Sequence, residues 1–263
     1  MRLDYGTQIS PDPITLSIGT LRKPTLKEIS QITFDRFSYY EFLIKLTPET
    51  LYTKLKGDEG KKYWDSLTEE EKDKINIYDL IIEDKNLCNT YIDILNFFFI
   101  EPFIYQEGYF IVLKQDVESF DSLDKSKIRG AISRKNFMQV MDLIQQICCI
   151  RGEEENLDEM KFKNNLARQL MEKILKEQKK EKKERKADIN LSIPNIISAL
   201  SNNHPSLNYT NIWELTIFQL LDSFNRIQTN SMFKINSTRV SVWGDEKKTF
   251  DPALWYKNEY DKK

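Results

Sequence analysis

A chain of 263 residues with 40% hydrophobic and 12% aromatic side chains can build one large or two ordinary packed cores, which excludes wholesale disorder. Its 39 basic and 41 acidic residues leave a formal net charge of −2, which disfavours a globally basic nucleic-acid binder while leaving room for local patches. Only 8 glycines and 8 prolines are present, too few for a loop-rich or turn-repeat fold.

The first patterned stretch is Ile14-Thr15-Leu16-Ser17-Ile18, followed by Gly19 and Thr20-Leu21-Arg22, which predicts a strand or small hairpin. Thr25 with Glu28 spells a capping box, so a helix follows with Leu26, Ile29 and Ile32 on its buried side. Phe37 to Leu46 forms a second, aromatic-rich helical segment. Its aromatic set (Phe34, Phe37, Tyr39, Tyr40, Phe42) is read as core rather than as a platform for a flat ligand. Thr47-Pro48 then opens another helix, Gly57 to Gly60 marks a break, and Thr68 with Glu71 makes a second capping box.

Ile77 to Phe99 carries the longest apolar periodicity of this half and predicts one helix, closed by Glu101-Pro102. Two runs of aromatic and β-branched residues, Phe103-Ile104-Tyr105 and Tyr109 to Leu113, flank a turn at Gly108 and predict a hairpin. Ser119 to Gly130 is polar and reads as a loop, and Asn136 to Ile150 as a helix ending before Gly152.

Composition then shifts. In the run 176–186, seven basic residues, among them Lys179, Lys180, Lys182, Lys183, Arg185 and Lys186, are interleaved with three acidic ones. No apolar residue follows Leu175 there, so residues 153–188 are read as a charged helical linker. Those six cations are the candidate electrostatic tether; the interleaved glutamates and missing aromatics speak against single-stranded nucleic acid, which is held by stacking on rings. The expected organisation is mainly α with small β-hairpins: a helical domain over 1–152, the linker, and a helical domain with an aromatic tail over 189–263.

In that last part Ile193-Pro194 opens a short helix, and Asn202 to Ser206 turns. Asn211 with Glu214 predicts a capped helix from about Tyr209 to Arg226 whose apolar face is Trp213, Ile217, Leu220, Leu221, Phe224 and Ile227. Gln219, Asp222 and Arg226 fall at steps of three and four as a separate polar stripe, the candidate protein-contact surface. Met232 to Val242 alternates loosely, and Phe250 to Tyr256 forms an aromatic tail that should dock on this domain.

Little in the chain points to bond-making chemistry. Cys88, Cys148 and Cys149 sit in apolar helical contexts and read as reduced, buried thiols of an intracellular protein. His204, the single histidine, lies beside Pro205 in a loop, so neither a zinc-ligand spacing nor a Ser-His pair arises. Glycines are too scattered for a phosphate loop. The N-terminal residues lack an apolar signal region, and the run Ile94 to Ile100 is too short to span a bilayer. The expectation is a soluble, cytosolic binding or assembly protein, not an enzyme, with no cofactor and no membrane contact.

The C-terminal part resembles proteins from the tail-gene region of bacteriophages that infect low-GC Gram-positive bacteria. The resemblance is carried by Ile196 to Leu200, His204-Pro205-Ser206-Leu207-Asn208, Asn211-Ile212-Trp213, Leu215-Thr216, Gln219-Leu220, Trp243-Gly244-Asp245, Phe250-Asp251 and Trp255, with Gly19 to Pro24 as the N-terminal contribution. It implies a viral protein of tail assembly, similar to a tail-assembly chaperone. Its implied partners are phage tail proteins: the tape measure protein, kept covered until the tube forms, and tail-tube subunits. Oligomerisation stays open. Two other classes remain beside it, a structural virion component at neck, connector or baseplate, and a nucleic-acid-associated phage factor.

Overall fold

The computed structural model describes residues 2–114, 125–150, 189–246 and 248–258. Among them the chain is mainly α, with 11 helices and two small antiparallel sheets. The linker expected over 153–188, including the six tether cations, lies outside the described residues.

Capping chemistry sets most helix starts. Asp4 caps α1 (Tyr5–Ile9) by accepting the Thr7 amide at 2.8 Å. The hairpin that follows is as short as a strand pair can be: β1 (Ile14–Thr15) against β2 (Thr20–Leu21). Thr25 and Glu28 close the expected box on α2 (Leu26–Ile32). A single residue, Thr33, separates α2 from α3 (Phe34–Ile44): its φ of 75° breaks the first helix, and its hydroxyl accepts the Arg36 amide to start the second. Thr47 and Pro48 open α4 (Pro48–Thr50), which runs into a π-helical turn at Leu51–Leu55.

Three sequence expectations are corrected in the next stretch. Gly57 to Gly60 is not a break but the first turn of α5 (Gly57–Ser66). Gly57 takes a φ of 65° to redirect the chain, while Gly60 is needed for contact, since a Cβ there would lie 2.4 Å from the Tyr52 carbonyl oxygen. After α6 (Glu69–Lys74), boxed by Thr68 and Glu71 as expected, the long helix of Ile77 to Phe99 is two: α7 (Ile77–Glu83) and α8 (Lys85–Phe98). Asp84 divides them by going extended and accepting the amides of Asn86 at 2.9 Å and Leu87 at 3.1 Å. Finally, the polar loop expected up to Gly130 ends in a strand. β3 (Phe103–Gln106) and β4 (Tyr109–Leu113) form the predicted hairpin, and β5 (Ile128–Ile132) adds a third strand beside β4. Gly130 lets β5 pass over the turn between β1 and β2, where a Cβ would come within 2.7 Å of Ile18 Cα.

α9 (Phe137–Ile147), α10 (Ile193–Asn203) and α11 (Ile217–Trp243) complete the helices. The core is dense in aromatics. Tyr91, buried on α8, donates its hydroxyl to the Leu43 carbonyl at 2.7 Å and packs its ring on Phe137. The Tyr78 hydroxyl lies 2.7 Å from the Gly108 carbonyl and 3.1 Å from that of Ile132, tying α7 to the three-stranded sheet. Glu101, only 1% exposed, pairs with Arg129 of β5 and accepts the Thr20 amide at 2.7 Å, so one carboxylate holds both sheets together.

Ile196, Ile197, Leu200, Ile212, Ile217 and Leu220 belong to the same buried cluster as residues of α2, α3, α8 and α9. A backbone bridge reinforces that packing: Thr25 pairs with Thr216, and the Leu26 amide donates to the Leu215 carbonyl at 2.8 Å. Cys88 and Cys148 are buried and Cys149 half-buried, all as free thiols, and burial pushes the Cys88 and Cys148 thiols up from their ordinary value.

Candidate protein-interaction surface

α11 starts later and runs further than its sequence suggests. Ile212, Trp213 and Glu214 form a separate 3-10 turn after Asn211, whose side chain does not cap it, and the capping box belongs to Thr216 and Gln219. From Ile217 the helix continues unbroken through the loosely alternating stretch to Trp243, where Gly244 with a φ of 78° ends it. The apolar positions of that stretch, Met232, Ile235 and Val242, follow steps of three and seven, which is a helical spacing.

The predicted polar stripe is occupied by the chain's own N-terminus. Gln219 Nε2 donates to the Ile9 carbonyl at 2.8 Å. Asp222 is 7% exposed; it accepts the Tyr5 hydroxyl at 3.2 Å and lies 3.6 Å from Arg226 Nε. Arg226 Nη2 in turn donates to the Tyr5 oxygen at 3.2 Å, with its guanidinium 5.9 Å from the Tyr5 ring centroid. Burial, more than any neighbouring charge, raises the Tyr5 phenol above its ordinary range. All three stripe residues thus face α1.

Beyond Ile227 the two sides of α11 differ. One side carries the C-terminal return: Phe233 packs on Phe250 with ring centroids 5.6 Å apart, the short turn Leu254–Tyr256 lies against the helix, and Arg226 Nη1 reaches the Lys257 carbonyl at 3.3 Å. Among the described residues nothing packs on the other side. Met232, Ile235, Val242 and Trp243 are 55%, 64%, 64% and 77% exposed. Ile235 and Val242 continue the line of Ile217, Leu221, Phe224 and Gln228, so the face that enters the core at one end of the helix emerges from it at the other. Among the described residues Lys234 and Arg239 form no ion pair within 4 Å, although, after the Phe250 and Thr249 amides, the Arg239 charge helps to lower the Asp245 carboxyl just past the end of the helix, and no acidic residue occurs between Asp222 and Asp245.

The hydroxyls of this half are spent on the helix itself. Thr229 and Ser231 donate to the carbonyls of Asn225 and Ile227, Ser237 and Thr238 both to that of Lys234, and Ser241 to that of Ser237, all within 3.0 Å. A stretch rich in Ser and Thr therefore offers an apolar line with little unsatisfied hydrogen bonding beside it.

Other chemistry-bearing groups have the following surroundings. His204 Nδ1 accepts the amides of Ser206 at 3.2 Å and Leu207 at 3.1 Å, closing the turn after α10. Burial raises the Glu41 carboxyl from 4.5 to about 7, with Lys45 opposing weakly. No group of three or more His, Cys, Asp and Glu among the described residues is arranged to hold a metal ion, and no described helix is long and apolar enough to cross a membrane.

Residues 178–260, spanning α10, α11 and the C-terminal return, match the family model for the second domain of YomV, a protein of a Bacillus phage region. No curated protein and no solved structure matches the chain. The YomV match supports a phage-derived protein.

Proposed function

We propose that this is a phage tail morphogenesis factor, similar to tail-assembly chaperones, which acts in the host cell cytoplasm by binding rather than by catalysis. Its clients are the tape measure protein, the tail-tube protein or both. The observation that carries the reading is the bare apolar face of α11, which lies inside the span matching the phage domain family. A long helical client exposes an apolar stripe that must be covered until the tube polymerises around it, and a second helix face covers such a stripe well. The tether cations Lys179, Lys180, Lys182, Lys183, Arg185 and Lys186 would add electrostatic attraction that fades with salt.

Co-expression with the cognate tape measure protein tests this. The client should move from the pellet to the soluble fraction and co-purify with the chain, and the chain should be missing from finished particles. A stoichiometric copy number in mature virions would replace the chaperone reading with that of a structural component.

A further inference from the structure

We propose that the distal half of α11 is a docking site for an amphipathic α-helix whose apolar stripe is flanked by carboxylates. This deepens the proposed function and rests on it only for the partner's phage origin. Three observations on one surface point to this occupant. The bare line through Gln228, Met232, Ile235 and Val242 prolongs the face that α11 already buries through Ile217, Leu221 and Phe224, so its spacing is that of a helix-packing ridge. From Gln228 to Trp243 it is about 22 Å long at the usual rise per residue, enough to seat roughly four turns of a partner helix.

The hydroxyls of Ser231, Thr238 and Ser241 beside it donate to the helix's own carbonyls, so covering the line strands few polar groups. Charge then selects the partner. Lys234 lies on one side of the Ile235–Val242 line and Arg239 on the other, with no carboxylate on this half of the helix; the Arg239 charge is felt by Asp245 beyond its end, which still leaves the surface net positive. A helix with acidic flanks pairs with both cations. A basic helix, or a second copy of this one laid alongside, brings like charges together.

The test uses the full chain and two synthetic monomeric peptides of about three heptads, identical in their leucine stripe but flanked by glutamate in one and by lysine in the other. Fluorescence anisotropy of the labelled peptides reads binding, and the emission of Trp243, isolated by comparison with Trp243→Phe, reads its location. The acidic peptide should bind at least about tenfold more tightly at low salt, the sum of two exposed pairs gained and two repulsions avoided. Its binding should shift Trp243 emission to the blue. Ile235→Asp should weaken it at least about tenfold, and Lys234→Glu with Arg239→Glu should reverse the preference. All these positions are exposed, and unchanged thermal unfolding confirms that the variants are folded.

Equal affinity for the two peptides, no binding of either, or indifference to Ile235→Asp overturns the proposal. So does a dimer by sedimentation that Ile235→Asp dissolves, because the occupant is then a second copy. Peptide binding without solubilisation of a tail protein leaves this surface standing and removes the chaperone reading; solubilisation that survives Ile235→Asp does the opposite.

Discussion

Gln219 bridges the two ends of the described chain: its Nε2 donates to the Ile9 carbonyl at 2.8 Å while its Oε1 accepts the Thr216 amide at 3.0 Å. One side chain therefore completes the N-terminal cap of α11 and pins the end of α1. Gln219→Ala should lower stability by about 1–2 kcal/mol, from a lost cap and an orphaned carbonyl. Gln219→Glu keeps the cap acceptor but sets a carboxylate against the Ile9 carbonyl, so it should not restore the wild-type value. Denaturant unfolding of the three proteins checks this, and a loss below about 0.5 kcal/mol for both variants would return Gln219 to the ordinary surface.

The shared core makes a second expectation. Ile196, Ile197, Leu200, Ile217 and Leu220 pack with residues of α2, α3, α8 and α9, and the Leu26 amide bonds the Leu215 carbonyl. Cutting the chain at a protease site engineered into 176–186 should therefore yield two fragments that co-elute and unfold in one transition. Fragments that separate on a sizing column without denaturant would mean that each half carries a sufficient core of its own.

Much of the fold was legible because its signals are local. Thr25 with Glu28, Thr47 with Pro48 and Thr68 with Glu71 each satisfy helix amides within one turn, so those starts can be read without knowing the neighbours. The differences arise where a local signal is masked by its surroundings or where a distant group decides. Asp84 splits α7 from α8 by capping inside an apolar run, and the Ile-Arg-Gly-Ala-Ile of β5 becomes a strand because β4 offers it a ladder and Ile18 lies close over Gly130. The polar stripe of α11 was visible as a stripe, but periodicity alone does not reveal that α1 fills it. The bare face was hidden for a related reason: Met232, Ile235 and Val242 sit among so many Ser, Thr and Asn that their helical spacing passed for loose alternation, and the hydroxyls' inward bonds are a tertiary fact.

Glu41 provides a pH test. Burial lifts its carboxyl from 4.5 to about 7, so between those values the folded protein binds a proton that the unfolded chain has released. Its contribution is thus favourable at low pH, is lost as pH rises from about 4.5 to 7, and is flat above. Glu41→Gln removes that dependence and should be the more stable protein at pH 8, by about 2 kcal/mol, with the difference shrinking toward pH 5. Subtracting the two stability curves isolates this group from the other carboxylates. A difference that stays constant across that range would mean that Glu41 is hydrated and titrates normally.

The couple of buried Glu101 and solvent-facing Arg129 gives the sharpest asymmetry. Glu101 is 1% exposed and joins β5 to the Thr20 amide of the first hairpin, so removing Arg129 strands an ionised carboxylate where water does not reach. Arg129→Met should cost about 1–3 kcal/mol at neutral pH, less than a fully buried pair would, because solvent reaches the Arg129 side of the couple. The same variant should regain part of that loss as the pH is lowered, because a protonated Glu101 no longer needs the cation. Adding Glu101→Gln to Arg129→Met should recover stability relative to the single variant, since the amide keeps an acceptor for Thr20 without the charge. If the double variant is instead as unstable as the sum of the two singles, the couple acts through packing volume and the electrostatic account of this joint fails.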